Sequence, residues 1–439
     1  MAIGKKERTQ QQPMWIPHTA IARTPGHPFY KTLNKILDKE RFDEWLERLC
    51  EPYFRRGGRP SIPPGVYFRM LIIGYFEGIA SERAIAWRCA DSLSLREFLG
   101  FSLNQNTPDH STLSVWRKRL EVETYEDVFR KILSIVDRHG LLNGEVLGVD
   151  STTLEANAAM RSIVRKDTGE SYREYLSGLA REAGIENPTP EELRKFDRNR
   201  KGRKTSNREF ESGADPDSRI AKMKDGTTHL AHKAENAVDL ESSVVVSANI
   251  FQADLGDAQS LPETIEKTEE NLVWVDPDKA IVSLVTDKGY HKAALIDDLY
   301  WDGGIITYIP ERKTTQRRKW HGDKRACQAF HANRRRCRSG YGKWLMRQRA
   351  AIVERVFAHL LETGGLRRIH LRGRDNIQKR YLVHVLAYNL SVLMRTITGF
   401  GCPRSSGDLK TLLSLFILYS VTLSRLRYQL LESELAVAE

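Results

Sequence analysis

Two short apolar runs in this chain end on an aspartate and then turn: VLGVD (146–150), followed by Ser-Thr, and SLVTD (283–287), followed by Lys-Gly-Tyr. One such ending has a modest explanation, because Asp caps turns and Gly permits them. Two constrain the fold more. If both strands lie side by side in one sheet, their ends hold two negative charges close together, and one would stay protonated unless a cation sat between them. Magnesium suits such a place, since it prefers hard oxygen ligands. A third carboxylate, Glu354, interrupts the apolar residues Ile352, Val353, Phe357 and Leu361 of AAIVERVFAHLLE. A charge in such a run is costly unless it is paired.

The order of elements says which sheet this would be. After VLGVD comes a polar insertion, about 161–220, that includes RKFDRNRKGRK (194–204). THLAHKAENAVDL (228–240) and SSVVVSANIF (242–251) read as strands, and 257–271 as a helix. AIVSLVTD (280–287) is a strand, HKAALIDDLYW (291–301) a helix and GIITYIP (304–310) a strand. Two helices follow, 344–363 and 376–397, the second with an apolar stripe of Tyr381, Leu382, Val385, Leu386, Leu390 and Leu393. Three successive strands pair as an antiparallel meander, and strands joined through helices are parallel. The result is an α/β ribonuclease-H-like domain over 145–400, a mixed five-stranded sheet flanked by helices.

An all-α domain, 29–140, precedes it. Leu33, Ile36, Leu37, Phe42, Trp45, Leu46 and Leu49 recur at helical spacing, and Pro63-Pro64 starts a buried helix. Ser94 and Glu97 match a capping box. Thr107-Pro108 opens a helix over 109–120, the candidate recognition helix of a helix-turn-helix-like DNA-binding unit, with Arg117, Lys118 and Arg119. Residues 1–28 read as a polar arm and 401–439 as a helical tail.

Charge points to a polyanionic partner. The net charge is +12, and residues 311–350 carry 14 Lys/Arg against 2 Asp/Glu, so the whole excess sits there. Arg317, Arg318, Lys319, Arg334, Arg335, Arg336, Arg347 and Arg349 are the candidate phosphate contacts, with Lys288 beside Asp287. Five cysteines without a regular spacing fit a reducing cytosol. Cys327 and Cys337, with His321 and His331 near, invite a zinc reading but lack a CxxC pair. MAIGKKERTQQQP has no apolar core of a signal peptide, and the apolar run 412–423 is short of the roughly 20 residues of a membrane span.

GVDST, VTDKGY and IVERVF, in this order, resemble the catalytic blocks of bacterial insertion-sequence transposases of the DDE type. DGTTHLAHKAENAVD resembles their second-strand block, and HLRGRDNIQKRYLVHVLAYNLSVLM the helix after the glutamate. PYFRRGGRPSIPPGVYFRMLIIGYFEGIASERAIAWR and TPDHSTLSVWRKRL resemble the helical domain that precedes the nuclease core. The resemblance implies Asp150, Asp287 and Glu354 as catalytic residues and ligands of Mg2+, or Mn2+, with two ions per site. It implies cleavage at transposon ends and joining of the 3′ ends to target DNA. Double-stranded DNA and a homodimer or larger synaptic complex are the implied partners, in the bacterial cytoplasm with the nucleoid. A same-fold nuclease that cuts without joining, or a transposase-derived DNA-binding protein, would share much of this pattern. One departure stands out. Many relatives place Tyr, Arg and Lys at −7, −4 and +7 from the glutamate; here those positions are Arg347, Ala350 and Leu361, and Arg349 lies one residue off.

Overall fold

The computed structural model describes residues 26–54, 57, 61–201, 205–223, 226–312, 320 and 322–404. Most of the expected N-terminal arm, Arg317, Arg318, Lys319, His321 and the tail from 405 lie outside the described residues.

The chain begins with α1 (Pro28–Lys39), α2 (Phe42–Cys50), α3 (Pro64–Glu77), α4 (Glu82–Asp91), α5 (Leu93–Phe98), α6 (His110–Arg119) and α7 (Val122–Arg138). Pro64 opens α3, where its missing N–H costs nothing, and the helix is buried from Gly65 to Phe76. The cap of α5 is Ser92, not Ser94: Ser92 Oγ accepts from Leu95 N at 3.4 Å, while Ser94 Oγ accepts from His27 N at 2.9 Å and anchors the incoming chain.

The second part contains β1 (Val146–Glu155), β2 (Ile163–Arg165), α8 (Tyr172–Glu182), α9 (Pro190–Asn199), β3 (Phe210–Ser212), β4 (Arg219–Lys222), β5 (Thr228–Asp239) and β6 (Val245–Gln252). It continues through α10 (Asp257–Val275), β7 (Ser283–Val285), α11 (Ala293–Trp301), β8 (Ile306–Tyr308), α12 (Lys324–Arg338), α13 (Gly340–Ala358) and α14 (Arg374–Thr398). The sheet runs β6-β5-β1-β7-β8, the ribonuclease-H-like order, with β1, β5 and β6 antiparallel and β7 and β8 parallel to β1. The short β4 adds a sixth strand, sharing one side of β5 with β6.

Two stretches are more ordered than their composition promised. The polar insertion is a folded subdomain, in which Leu176, Ala180 and Leu193 form a small core between α8 and α9. Phe210 of β3 packs beneath it with Ile163 and Leu230. Its loop is pinned to the main domain by Asp215, which accepts from Gly373 N at 3.1 Å and lies 3.0 Å from His232 Nε2. Burial alone would raise the Asp215 carboxyl, but these partners hold it below its ordinary range. The basic stretch contains α12, capped by Asp323, whose carboxylate accepts from Ala326 N at 2.9 Å. Cys327 and Cys337 sit ten residues apart on this helix, about 15 Å along its axis, too far to share a zinc ion. Burial pushes the Cys337 thiol up to about 11, which also disfavours a thiolate ligand.

α14 joins the two parts. Gln378 accepts from Ile250 N at 2.7 Å and donates to Ala248 O at 2.8 Å. Asn389 accepts from Val245 N at 2.9 Å and donates to Val245 O at 2.8 Å. Eleven helical residues span about 16 Å, and five strand residues about the same, so two amides on one helix face meet both ends of the β6 edge. These side chains occupy backbone groups that an edge strand would leave open. On its other side α14 binds the helical domain. Lys379 Nζ donates to Leu120 O at 2.7 Å, and Arg380 Nη2 to Ile79 O and Ala80 O at 3.1 Å.

Gly148 sets the approach of α13 to β1. A Cβ there would lie 2.6 Å from Leu240 Cδ2, 3.0 Å from Val353 Cγ2 and 3.2 Å from Arg349 Cγ. A side chain at 148 therefore pushes the helix bearing Glu354 off the strand bearing Asp150. Gly148→Val should lower unfolding stability by about 1–3 kcal/mol, the usual range for overpacking, read as a lower midpoint in urea denaturation.

Candidate active site

Asp150 lies in β1 and Asp287 two residues past the end of β7. The parallel register pairs Gly148 with Val285. Continued two residues past the end of that ladder, the register would set Asp150 beside Asp287. β7 ends early because the chain leaves at Asp287 into a single 3-10 turn, Lys288–Tyr290. Asp287 Oδ1 accepts from Gly289 N at 2.6 Å, so the turn-capping role is real. It leaves the second oxygen of that carboxylate out of the cap.

Side-chain alternation assigns the two faces. Asp150 shares the Gly148 face, against α13, and Arg349 Nη2 stands 2.7 Å from Asp150 Oδ2. Arg349 is buried, and its Nε and Nη2 lack well-aligned hydrogen-bond acceptors. The ion pair is thus close but poorly aligned. Ser151, on the other face, donates to Asp257 Oδ1 at 3.0 Å.

Asp257 is a carboxylate that sequence reasoning missed. It opens α10, where an acidic residue reads as a routine complement to the helix dipole. In space, Asp257 Oδ2 and Asp287 Oδ1 both crowd the point where a Cβ on Gly289 would stand. Gly289 is therefore required by close approach and not by the turn, since its backbone lies outside the left-handed region. Behind this pair lies a buried polar network. Lys233 Nζ is 2.8 Å from Asp257 Oδ1 and 3.2 Å from Glu235 Oε2. Glu235, fully buried, accepts from Tyr290 OH at 2.8 Å, Ser260 Oγ at 2.7 Å and Thr264 Oγ1 at 2.6 Å.

Glu354 is exposed on α13 and engages none of the described side chains. No group of three His, Cys, Asp or Glu residues among the described residues is arranged to hold a metal ion. The β1–β7 register runs toward Asp150 and Asp287, Asp257 meets Asp287 over Gly289, and Glu354 stands exposed on the helix that packs over β1. The donor set around Asp150 and Asp287 is carboxylate oxygen with a cation already at hand, which fits a hard divalent ion in the place of that cation.

Several expected DNA contacts have partners within the fold. Arg117 Nε is 2.8 Å from Glu82 Oε1, and its Nη1 donates to Asn376 Oδ1 at 3.1 Å. Arg334 pairs with Glu311, its Nη2 at 2.6 Å from Oε2. Arg336 donates to Thr307 O at 3.1 Å and lies over the Tyr300 ring. Arg349 is turned inward to Asp150. In each case an internal carboxylate, carbonyl or ring takes up the guanidinium. Lys118, Arg119, Lys288, Arg335 and Arg347 are exposed.

Comparison with known families gives two matches. A model described as "Transposase domain (DUF772)" matches residues 18–119, and one described as "Transposase DDE domain" matches residues 189–390. The second includes Asp287 and Glu354 and begins after Asp150. Comparisons with curated proteins and with solved structures find no match. No helix among the described residues is long and apolar enough to cross a membrane.

Lys233 is the buried counter-charge of this region. Lys233→Met should cost about 3–5 kcal/mol, because it strands the charge of Glu235. Adding Glu235→Gln should recover part of the loss, measured by urea denaturation of the two variants.

Proposed function

Because the chain belongs to the DDE transposases, we propose that it binds the inverted-repeat ends of an insertion sequence, cleaves there, and joins the freed 3′ ends to target DNA. The family makes DNA its substrate and divalent-metal chemistry its means. What supports the finer reading is the parallel β1–β7 register, which runs toward both Asp150 and Asp287, with the Arg349 cation 2.7 Å from Asp150.

In this reading Asp150, Asp287 and Glu354 would hold magnesium or manganese, two ions per site, with Glu354 brought in from the exposed face of α13 when ions and DNA bind. When bound, such ions lower the pKa of the attacking water and stabilise the leaving 3′ oxygen of a phosphodiester. The chain's own residues do the rest. Arg349 neutralises Asp150 in the free protein and must give up that oxygen when the site is loaded. Arg347 and Glu354 are seven residues apart on α13, two helical turns, so they share one face. Arg347, exposed on that face, would take a backbone phosphate beside Glu354, and Lys288 would do so beside Asp287. Lys118, Arg119 and Arg335 extend the phosphate track. Pairing of two ends calls for a homodimer or larger complex.

Glu354→Gln should bind end-sequence duplex as the wild type does and lose at least a hundredfold in cleavage rate, checked by mobility shift and by strand cleavage in Mg2+. Undiminished cutting would remove Glu354 from the site. Incubation with end DNA and a target plasmid tests joining: cut ends that never become inserted would leave a nuclease.

Arg349→Met gives a thermodynamic test. In EDTA it should unfold at a clearly lower temperature than the wild type, since Asp150 loses its counter-charge. With millimolar Mn2+ the difference should shrink. An equal difference in both conditions would mean that no ion takes that place.

A further inference from the structure

The turn that presents Asp287 is anchored by a residue with no part in the chemistry above. Tyr290 is three residues past Asp287, at the far end of the single 3-10 turn, and is fully buried. Its hydroxyl donates to Glu235 Oε2 at 2.8 Å. Glu235 is itself held from three further directions, by Ser260 Oγ at 2.7 Å, Thr264 Oγ1 at 2.6 Å and Lys233 Nζ at 3.2 Å. A buried network with its members satisfied is rigid.

Glu235 is also tied to the other aspartate. It stands opposite Ser151 in the β1–β5 register, the residue after Asp150. Ser151 and Lys233 converge on Asp257, and Asp257 meets Asp287 over Gly289. One buried carboxylate therefore indexes β1 through the sheet and the Asp287 turn through a phenol. A tyrosine that only filled space would need no charged acceptor.

We propose that Tyr290 is a positioning residue which, by donating its hydroxyl to Glu235, fixes the Asp287 carboxylate at the distance from Asp150 that a divalent ion requires. This rests on the reading of Asp150 and Asp287 as metal ligands. Burial raises the Tyr290 phenol well above its ordinary range, with the Glu235 charge adding to it, so the hydroxyl stays a donor at working pH.

The test is a Mn2+ titration of the full chain without DNA, read by the loss of free-ion paramagnetic resonance signal, on wild type, Tyr290→Phe, Glu235→Gln and Asp287→Asn. Thermal unfolding in EDTA checks that each variant is folded. Tyr290→Phe, which removes one oxygen, should bind Mn2+ about 10–100-fold more weakly, the usual cost of removing a partner that orients a ligand. End-DNA binding should not change. Its cleavage rate should recover at high Mn2+, because the apparent metal affinity changes and the chemistry does not. Glu235→Gln keeps an oxygen for Tyr290 and should stay closer to the wild type than Tyr290→Phe. Tyr290→Phe within twofold of the wild type, while Asp287→Asn loses binding, would overturn the assignment and leave the metal reading standing. A loss in Glu235→Gln as large as that in Tyr290→Phe would overturn it in favour of the buried charge. Unchanged binding by Asp287→Asn would remove the metal reading and this inference with it.

Discussion

Like charges held together at the end of a strand pair set the terms for this molecule. Two carboxylates about 4 Å apart repel by roughly 4 kcal/mol at an effective dielectric near 20. That is a large part of the 5–15 kcal/mol by which a domain is usually stable. The chain meets this cost with a cation on each face of the sheet. Arg349 comes from α13 to Asp150 on one face, and Lys233 lies on the α10 face between Asp257 and Glu235. The two differ in kind. Lys233 is enclosed in a network of well-placed partners. Arg349 touches its aspartate at short range but with poor alignment. The first is a permanent part of the fold; in the proposed reading the second is the cation that a divalent ion would replace.

The same accounting of charge explains why many basic residues are engaged within the fold. A guanidinium serves a helix C-terminus or an edge carbonyl as well as it serves a phosphate. Lys379 and Arg380, within α14, hold the end of α6 and the chain after α3. Arg117 joins α6 to α4 and α14. The helical domain and the sheet are thereby one packed body around α14, with Tyr75 of α3 set edge-on to the buried His384. Burial, and the nearby Arg380 charge, lower the His384 imidazole to about 3. Yet its two ring nitrogens lie 2.9 Å from the carbonyls of Arg380 and Gly364, and a neutral ring can donate to only one. The neutral form is favoured, since a buried imidazolium beside Arg380 would have no counter-charge.

What was legible in the sequence follows from which signals are local. Strand runs ending on Asp, a β-branched run such as β6 and the stripe of α14 depend on near neighbours, and they led to the right sheet order. The Ser92 cap was misassigned because Ser94 offers the same chemistry two residues on, and only the contact with His27 separates them. The insertion read as an excursion because its cores are a few residues each, below what periodicity detects. Asp257 was invisible for another reason. An acidic residue at a helix start is ordinary, and its meeting with Asp287 depends on the packing of α10 against the turn and on the missing side chain of Gly289. Glu354 was picked out as a charge too costly to bury, but it is exposed, so the apolar run around it marked the helix's buried face and not its own environment.

The departure from the family's spacing around that glutamate has a geometric meaning. At 100° per residue, an arginine four residues before Glu354 would stand about 40° from it, on the same side of α13; one at −5 stands about 140° away. Arg349 is at −5 and lies on the side of Val353, which packs against Gly148. It faces the sheet, where Asp150 is, and away from the exposed face that carries Glu354. Arg347, seven before, returns to that face. In this chain the arginine that faces the aspartate and the arginine that stands beside the glutamate are thus separate residues, two positions apart. Moving the guanidinium by one residue changes its partner from what lies over the helix to what lies under it.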